Sequence, residues 1–242
     1  MAEAPQGYMV REQDLPQTRE SDDTVSTTVT IDRSSGAERL EQRVSRCAPG
    51  RSHTRVDAER QEVLYVASGR GAVEVEGERH ELEPGTGVYV AAGERYALEN
   101  PGPEELLVVS VLAPVEDPPI DATRRITVRY RDQPALPAGE REFRFLVNED
   151  AGCPDVTQFV GVIPPGRAPL HNHTYDEVIY IVEGEGILHL DDRQAPIAAG
   201  SCIHLPPLSM HCLENAGTAP MRVLGVFHPS GDPASRASRD NK

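Results

Sequence analysis

The chain has 242 residues and a net charge of −15, from 39 acidic and 24 basic side chains. That balance disfavours nucleic acid and anionic membranes as partners, since both require a cationic surface. Charged residues make up 26% and hydrophobic ones 38%, an ordinary composition for a globular chain, and no stretch approaches the roughly 18 apolar residues of a membrane span. The N-terminal stretch has no apolar leader core, so a cytoplasmic location is expected. The four cysteines, Cys47, Cys153, Cys202 and Cys212, are accordingly expected to be reduced and packed.

Residues 1–20 are polar and aperiodic and read as a flexible N-terminal arm. From Thr24 to Asp32 the β-branched alternation TVSTTVTID predicts a strand, closed by a turn at Arg33–Gly36. A second strand is expected over Leu40–Cys47. Short strands broken by Gly and Pro follow, and the first half ends on EELLVVSVLAP. Residues 114–123 hold three prolines and read as a linker. A further strand series runs to MRVLGVFHP, and residues 230–242 read as a disordered tail. No segment holds a period of 3.6, so the fold class is all-β, a sandwich or barrel.

An internal repeat decides the architecture. Glu62 and Glu177 are 115 residues apart, as are Gly69 and Gly184, Gly85 and Gly200, and Asn100 and Asn215. Gly36 with Gly152, and Gly50 with Gly166, are 116 apart. One extra residue therefore falls between Gly50 and Glu62, and two copies of one β unit follow, over 21–113 and 124–229.

The second copy carries the chemistry. His171, His173 and Glu177 lie at i, i+2 and i+6, which on a strand puts all three on one face. His211 follows after a turn and a second strand. Three imidazoles and a carboxylate make a divalent metal site with room for water, O2 or substrate. In the first copy the places of His171 and His173 fall to Val56 and Ala58, or to Arg55 and Asp57 if the extra residue lies later. Tyr96 takes the place of His211 and only Glu62 remains, so no metal is expected there. This copy reads as a structural partner, with an organic-ligand pocket as the alternative.

These residues resemble the two motifs of the cupin superfamily. The first is met by Gly166, His171, His173, Glu177 and Gly184, with the gap after Gly166 one residue short. The second is met by Gly200, Pro206, His211 and Asn215, with Leu208 in place of a Gly. The resemblance implies a two-domain bicupin of tandem jelly-roll barrels. It also implies one divalent transition metal ion (Fe, Mn, Ni or Zn) on His171, His173, Glu177 and His211. It allows dioxygenase-like chemistry, to which the ligand set leans, or isomerase, lyase or hydrolase chemistry with the metal as Lewis acid. The alternative is a non-catalytic cupin that binds or senses a small ligand.

Further candidates surround the ligands. Tyr175 and Ile179 are expected to line the cavity, with Val178 and Tyr180 facing outward. Tyr175, His189 and His204 are the candidate catalytic side chains; His189, Cys202 and His204 could hold a ligand by hydrogen bonding from behind or act as a general base, and Arg167 and Asn172 could hold an anion. Cys212 should face away from the metal, and His53 is out of register. Few aromatics (Trp 0, Phe 4) argue against a large aromatic-lined pocket. A small-molecule ligand is expected, and a homodimer through the arm or a sheet edge stays open.

Overall fold

The computed structural model describes residues 7–235; the ends of the expected arm and tail, 1–6 and 236–242, lie outside the described residues. Strands dominate, joined by turns and five short 3-10 segments among the described residues. Each repeat forms one antiparallel barrel from a seven-stranded and a four-stranded sheet. In the second repeat the large sheet sets Asp176–Glu183 between Ser201–Leu205 and Met221–His228. The small sheet pairs His211–Asn215 with Gly166–Arg167 and Glu185–Leu190. No helix among the described residues is long and apolar enough to cross a membrane.

Alternation along the strands divides the apolar residues between two kinds of core. Leu64, Val66, Val88 and Val90 fill the first barrel, and Ile179, Ile181, Ile203 and Leu205 fill the second. The opposite faces of the two large sheets meet each other. Val63, Tyr65 and Val109 from one and Val178, Tyr180 and Leu224 from the other share a single core cluster. The units thus pack sheet on sheet, as apolar faces of two layers must. Val178 and Tyr180 do leave their own barrel, as alternation requires. They end in this interface at 0% and 3% exposure, not in solvent.

The boundaries between the units differ from the expected ones. Tyr8–Arg11, read as loose arm, pairs antiparallel with Ser201–Leu205 and closes the edge of the second unit's sheet. Thr127–Arg129 crosses the other way and pairs with Thr86–Val90 of the first unit. Each unit therefore lends the other a strand, which sequence-local propensity does not reveal. The expected linker is pinned as well: Glu116 N and Asp117 N both donate to the buried Asp155 carboxylate. So is the described start of the expected tail. Gly231 N donates to Thr157 Oγ1 at 3.1 Å, and Asp232 O accepts from Tyr175 Oη at 2.9 Å.

Leu208, which stands where the motif has Gly, has φ 67° and is 60% exposed. Its counterpart in the first unit, Gly93, has φ 82°. Left-handed backbone costs a branched side chain about 1–2 kcal/mol, and glycine returns up to about 1 kcal/mol of that through unfolded-chain entropy. Leu208→Gly should thus be neutral or stabilising by up to about 1 kcal/mol in a denaturant melt. A clear loss of stability would show that the exposed leucine is held by packing instead.

Candidate metal centre

The two early histidines do not sit on a strand. Strand Asp176–Glu183 begins only one residue before Glu177, and His171 and His173 belong to the segment leading into it. Their convergence has another cause. His171 and His211 form an isolated antiparallel bridge, N to O at 3.0 and 2.8 Å, and Leu208 N donates to His173 O at 2.7 Å. These bonds lay the segment against the turn before His211. The metal-ligating atoms of His171, His173 and His211 come within 4.8 Å of one another. Glu177 enters from the strand, its Oε2 3.8 Å from His211 Nε2.

Each imidazole is oriented from behind. His211 Nδ1 lies 2.9 Å from Ser209 O and His171 Nδ1 lies 3.3 Å from Pro169 O. Carbonyls only accept, so both rings carry their proton on Nδ1. His173 Nδ1 lies 3.0 Å from Tyr175 Oη, and that hydroxyl gives its own proton to Asp232 O at 2.9 Å. His173 therefore also donates through Nδ1. In all three rings the lone pair is on Nε2.

Burial sharpens the arrangement. Glu177 is 4% exposed and its Oε2 has no hydrogen-bond partner. Desolvation, with the Asp176 charge adding to it, pushes its carboxyl up to about 8. Burial and the neighbouring His171 hold His211 down at about 3, so it is neutral, and 3.8 Å is too long for a hydrogen bond. An imidazole lone pair and an unpartnered carboxyl oxygen thus face each other across 3.8 Å with no hydrogen bond between them. A shared cation resolves that conflict, and three imidazoles with one carboxylate fit a divalent transition metal.

The cup encloses about 80 Å³ and is walled by Phe143, Phe159, Phe227, Ile179 and Val223. The scarcity of aromatics is misleading as a guide to this site. All four Phe of the chain lie at or after residue 143, and three of them line the cup. Their rings pack in tilted and edge contacts 4.9–6.1 Å apart. Arg141, 72 residues from its partner, also lines the cup and donates to Leu213 O at 2.6 Å. An outer vestibule of about 500 Å³ is lined by Arg141, Arg167 and a run of prolines.

Other sequence candidates fall elsewhere. Tyr175 stacks on His173, centroids 4.8 Å apart at 14°, behind the cup instead of lining it. His189 alternates with Leu188 and Leu190 of the barrel core, so it faces out and meets Glu214 at 2.7 Å. His204 and Cys202 alternate with Ile203 and Leu205 and face the interface, where His204 Nε2 donates to Asp176 at 2.7 Å. Neither histidine reaches the cup. Asn172 is held near Met210 Sδ at 3.3 Å.

In the first unit the bridge Arg55–Tyr96 takes the place of His171–His211. Gly93 N donates to Asp57 O at 2.7 Å, as Leu208 N does to His173 O. Arg55 and Asp57, not Val56 and Ala58, are thus the counterparts. Arg55 is tied to Asp23 at 2.7 Å, and Asp57 accepts from Glu59 N and Arg60 N.

The cupin domain model matches residues 44–112 and again 159–227. The chain is 36% identical over 70 residues to an uncharacterized protein of Methanocaldococcus jannaschii, spanning 28% of this chain and 56% of that protein. It is 32% identical over 92 residues to the oxalate-binding protein of Thermotoga maritima, 37% of this chain and 76% of that protein. Among solved structures it is similar to the protein Ylba of E. coli, with a TM-score of 0.79 at 15% identity over 96% of this chain and 94% of that one. It is also similar to oxalate decarboxylase of Bacillus subtilis, with a TM-score of 0.76 at 15% identity over 93% and 78%. At those identities the structural likeness speaks for the fold. With the domain matched twice over more than half its length, the chain belongs to the cupin family and is a bicupin.

Proposed function

We propose that the second unit is a divalent-metal centre, on His171, His173, Glu177 and His211, that binds a small organic acid and acts on it. The reading is carried by three histidines whose ligating atoms lie within 4.8 Å of one another, with the orphaned Glu177 Oε2 3.8 Å from His211 Nε2. When bound, the ion supplies Lewis acidity, polarising a carbonyl or lowering the pKa of a water. The chain's residues supply the rest. Pro169 O, Ser209 O and Tyr175 hold the rings; Arg141 and Arg167 place guanidinium groups along the entry of a chain whose net charge is −15. A guanidinium fork matches a carboxylate. The phenylalanine wall keeps the cup small. The oxalate-binding relative and the Mn(II) centres of oxalate decarboxylase support pairing a metal with a carboxylate in this fold.

The test is metal analysis of the purified chain, followed by calorimetry with two- to four-carbon 2-oxo and dicarboxylic acids. One transition metal per chain is expected, with acid binding that weakens about tenfold or more in Arg141→Met. A chain that takes up no metal would end the proposal. Turnover is expected without oxygen uptake; oxygen consumed in step with product would replace Lewis-acid chemistry with the dioxygenase reading.

Tyr175→Phe gives a narrower check. It removes the acceptor that holds His173 Nδ1 and leaves the stacked ring. Metal affinity should fall about 10–100-fold while the fold survives. Unchanged affinity in a competition assay with a chelator would mean that Tyr175 serves only the packing of residues 231–235.

A further inference from the structure

The first unit has lost the metal ligands and the wall that divides the cavity. Its open cavity holds about 620 Å³, where the second unit has a cup of about 80 Å³ behind a vestibule of about 500 Å³, and 620 Å³ is within the usual range for small-molecule sites. Strand register shows why. Thr27 pairs with Ser45 as Phe143 pairs with Gly161, Val29 with Arg43 as Phe145 with Phe159, and Leu112 with Glu62 as Phe227 with Glu177. The three rings that fill the second cup are therefore Thr27, Arg43 and Leu112 in the first. All three line the enlarged cavity.

At its base lie the two surviving ligand positions. Tyr96 OH donates to Glu62 Oε2 at 2.9 Å, and the residues are 5% and 7% exposed. Among the described residues Tyr96 is the hydrogen-bond partner of that carboxylate, and a neutral phenol does not balance its charge. The nearby guanidiniums are committed elsewhere, Arg55 to Asp23 at 2.7 Å and Arg43 to Glu41 at 2.6 Å. A buried carboxylate is costly unless a cation and hydrogen bonds meet it. At Glu62 a metal is a poor candidate, because one carboxylate and a phenol fall short of the three or four N/O donors such ions draw; Glu20, Asp23 and His53 also come together on this cavity, but Asp23 is paired with Arg55.

We infer that the first cup is a separate, metal-free binding site for a small primary amine, whose ammonium group sits on Glu62. An ammonium offers three donors. Val25 and Leu112 supply apolar contact for a short carbon chain, and Thr27 a hydroxyl. The site does not depend on the metal centre.

The test titrates the full, zinc-loaded chain by calorimetry with ethanolamine, butylamine, acetate and glycerol. One amine per chain is expected, with no binding of acetate or glycerol. Glu62→Gln should weaken amine binding about tenfold or more by removing the charge. Thr27→Phe, which refills the cup with the ring the second unit carries, should do the same while leaving the Glu62–Tyr96 pair in place. His173→Ala should leave amine binding unchanged. If Glu62→Gln fails to fold, Thr27→Phe decides. No amine binding to the wild-type chain, binding that survives Thr27→Phe, or binding lost in His173→Ala would overturn the inference.

Discussion

Replacing His173 by alanine should strip the second unit of its metal, and replacing Glu62 by alanine in the first should leave metal content unchanged. His173 is 6% exposed and its ring lies 5.0 and 5.3 Å from those of His171 and His211. Its loss removes one of three imidazole donors and leaves the buried Glu177 oxygen less well met. Affinity should fall by more than the 10–100-fold that an outer partner such as Tyr175 costs. Glu62 has no comparable company. Arg55 and Asp57 stand where His171 and His173 stand, and each is held by its own neighbours. Glu62→Ala removes the acceptor of a buried Tyr96 hydroxyl, which costs about 1–3 kcal/mol of stability. Metal per chain and melting temperature, measured on both variants together, separate the outcomes. Metal lost with Glu62 and kept without His173 would reverse the roles of the two units.

The repeat is legible in the sequence because the residues that mark it do the same backbone work in both units. Asn100 donates to Cys47 O and Glu104 O, and Asn215 to Ile163 O and Ala219 O. Each also accepts from the N–H two residues on. Gly69 and Gly184 have φ 81° and 94°, and a Cβ at either would come within 3.0 Å of the backbone of Leu106 or Met221. Such positions tolerate little else, so spacing survives where side-chain chemistry has diverged. What spacing alone does not give is anything set by long-range pairing. The strand Tyr8–Arg11 carries no signal that its partner lies roughly 190 residues away. Arg141, Phe143 and Phe159 reach the cup on the paired strands Arg141–Val147 and Thr157–Ile163, and Phe227 reaches it on Met221–His228, the next strand of the sheet. His171 and His173 lie not on a strand but on a bridged loop, where their short spacing and the turn before His211 still bring the three rings together. The concentration of every Phe in the second half is present in the sequence and is the signal that marks the walls.

The chelated protein should lose stability as pH rises from 6.5 to 8, and the metal-loaded protein should not. In the unfolded chain Glu177 titrates near its ordinary 4.5 and His211 near 6.5; folded and metal-free, they move to about 8 and about 3. Between about pH 3 and 4.5 the unfolded state binds the extra His211 proton, so stability rises with pH. Between 4.5 and 6.5 the folded state carries its proton on Glu177 and the unfolded state on His211, and the two contributions cancel. Above 6.5 only Glu177 differs. The folded state then holds one more proton than the unfolded, so stability falls by about 1.4 kcal/mol per pH unit, on the order of 2 kcal/mol by pH 8. A bound cation keeps Glu177 ionised and cancels that loss, so metal affinity should rise with pH over the same window. Metal at about 1,000 times its Kd adds about 4 kcal/mol, making the gap between the two forms widest at pH 8. Denaturant midpoints at pH 6.5 and 8, with and without chelator, measure it. Glu177→Gln should abolish the slope, because it cannot ionise. A chelated wild-type chain equally stable at both pH values would mean that Glu177 is already ionised in the cup, and that the orphaned carboxyl on which the metal assignment rests is met by something else.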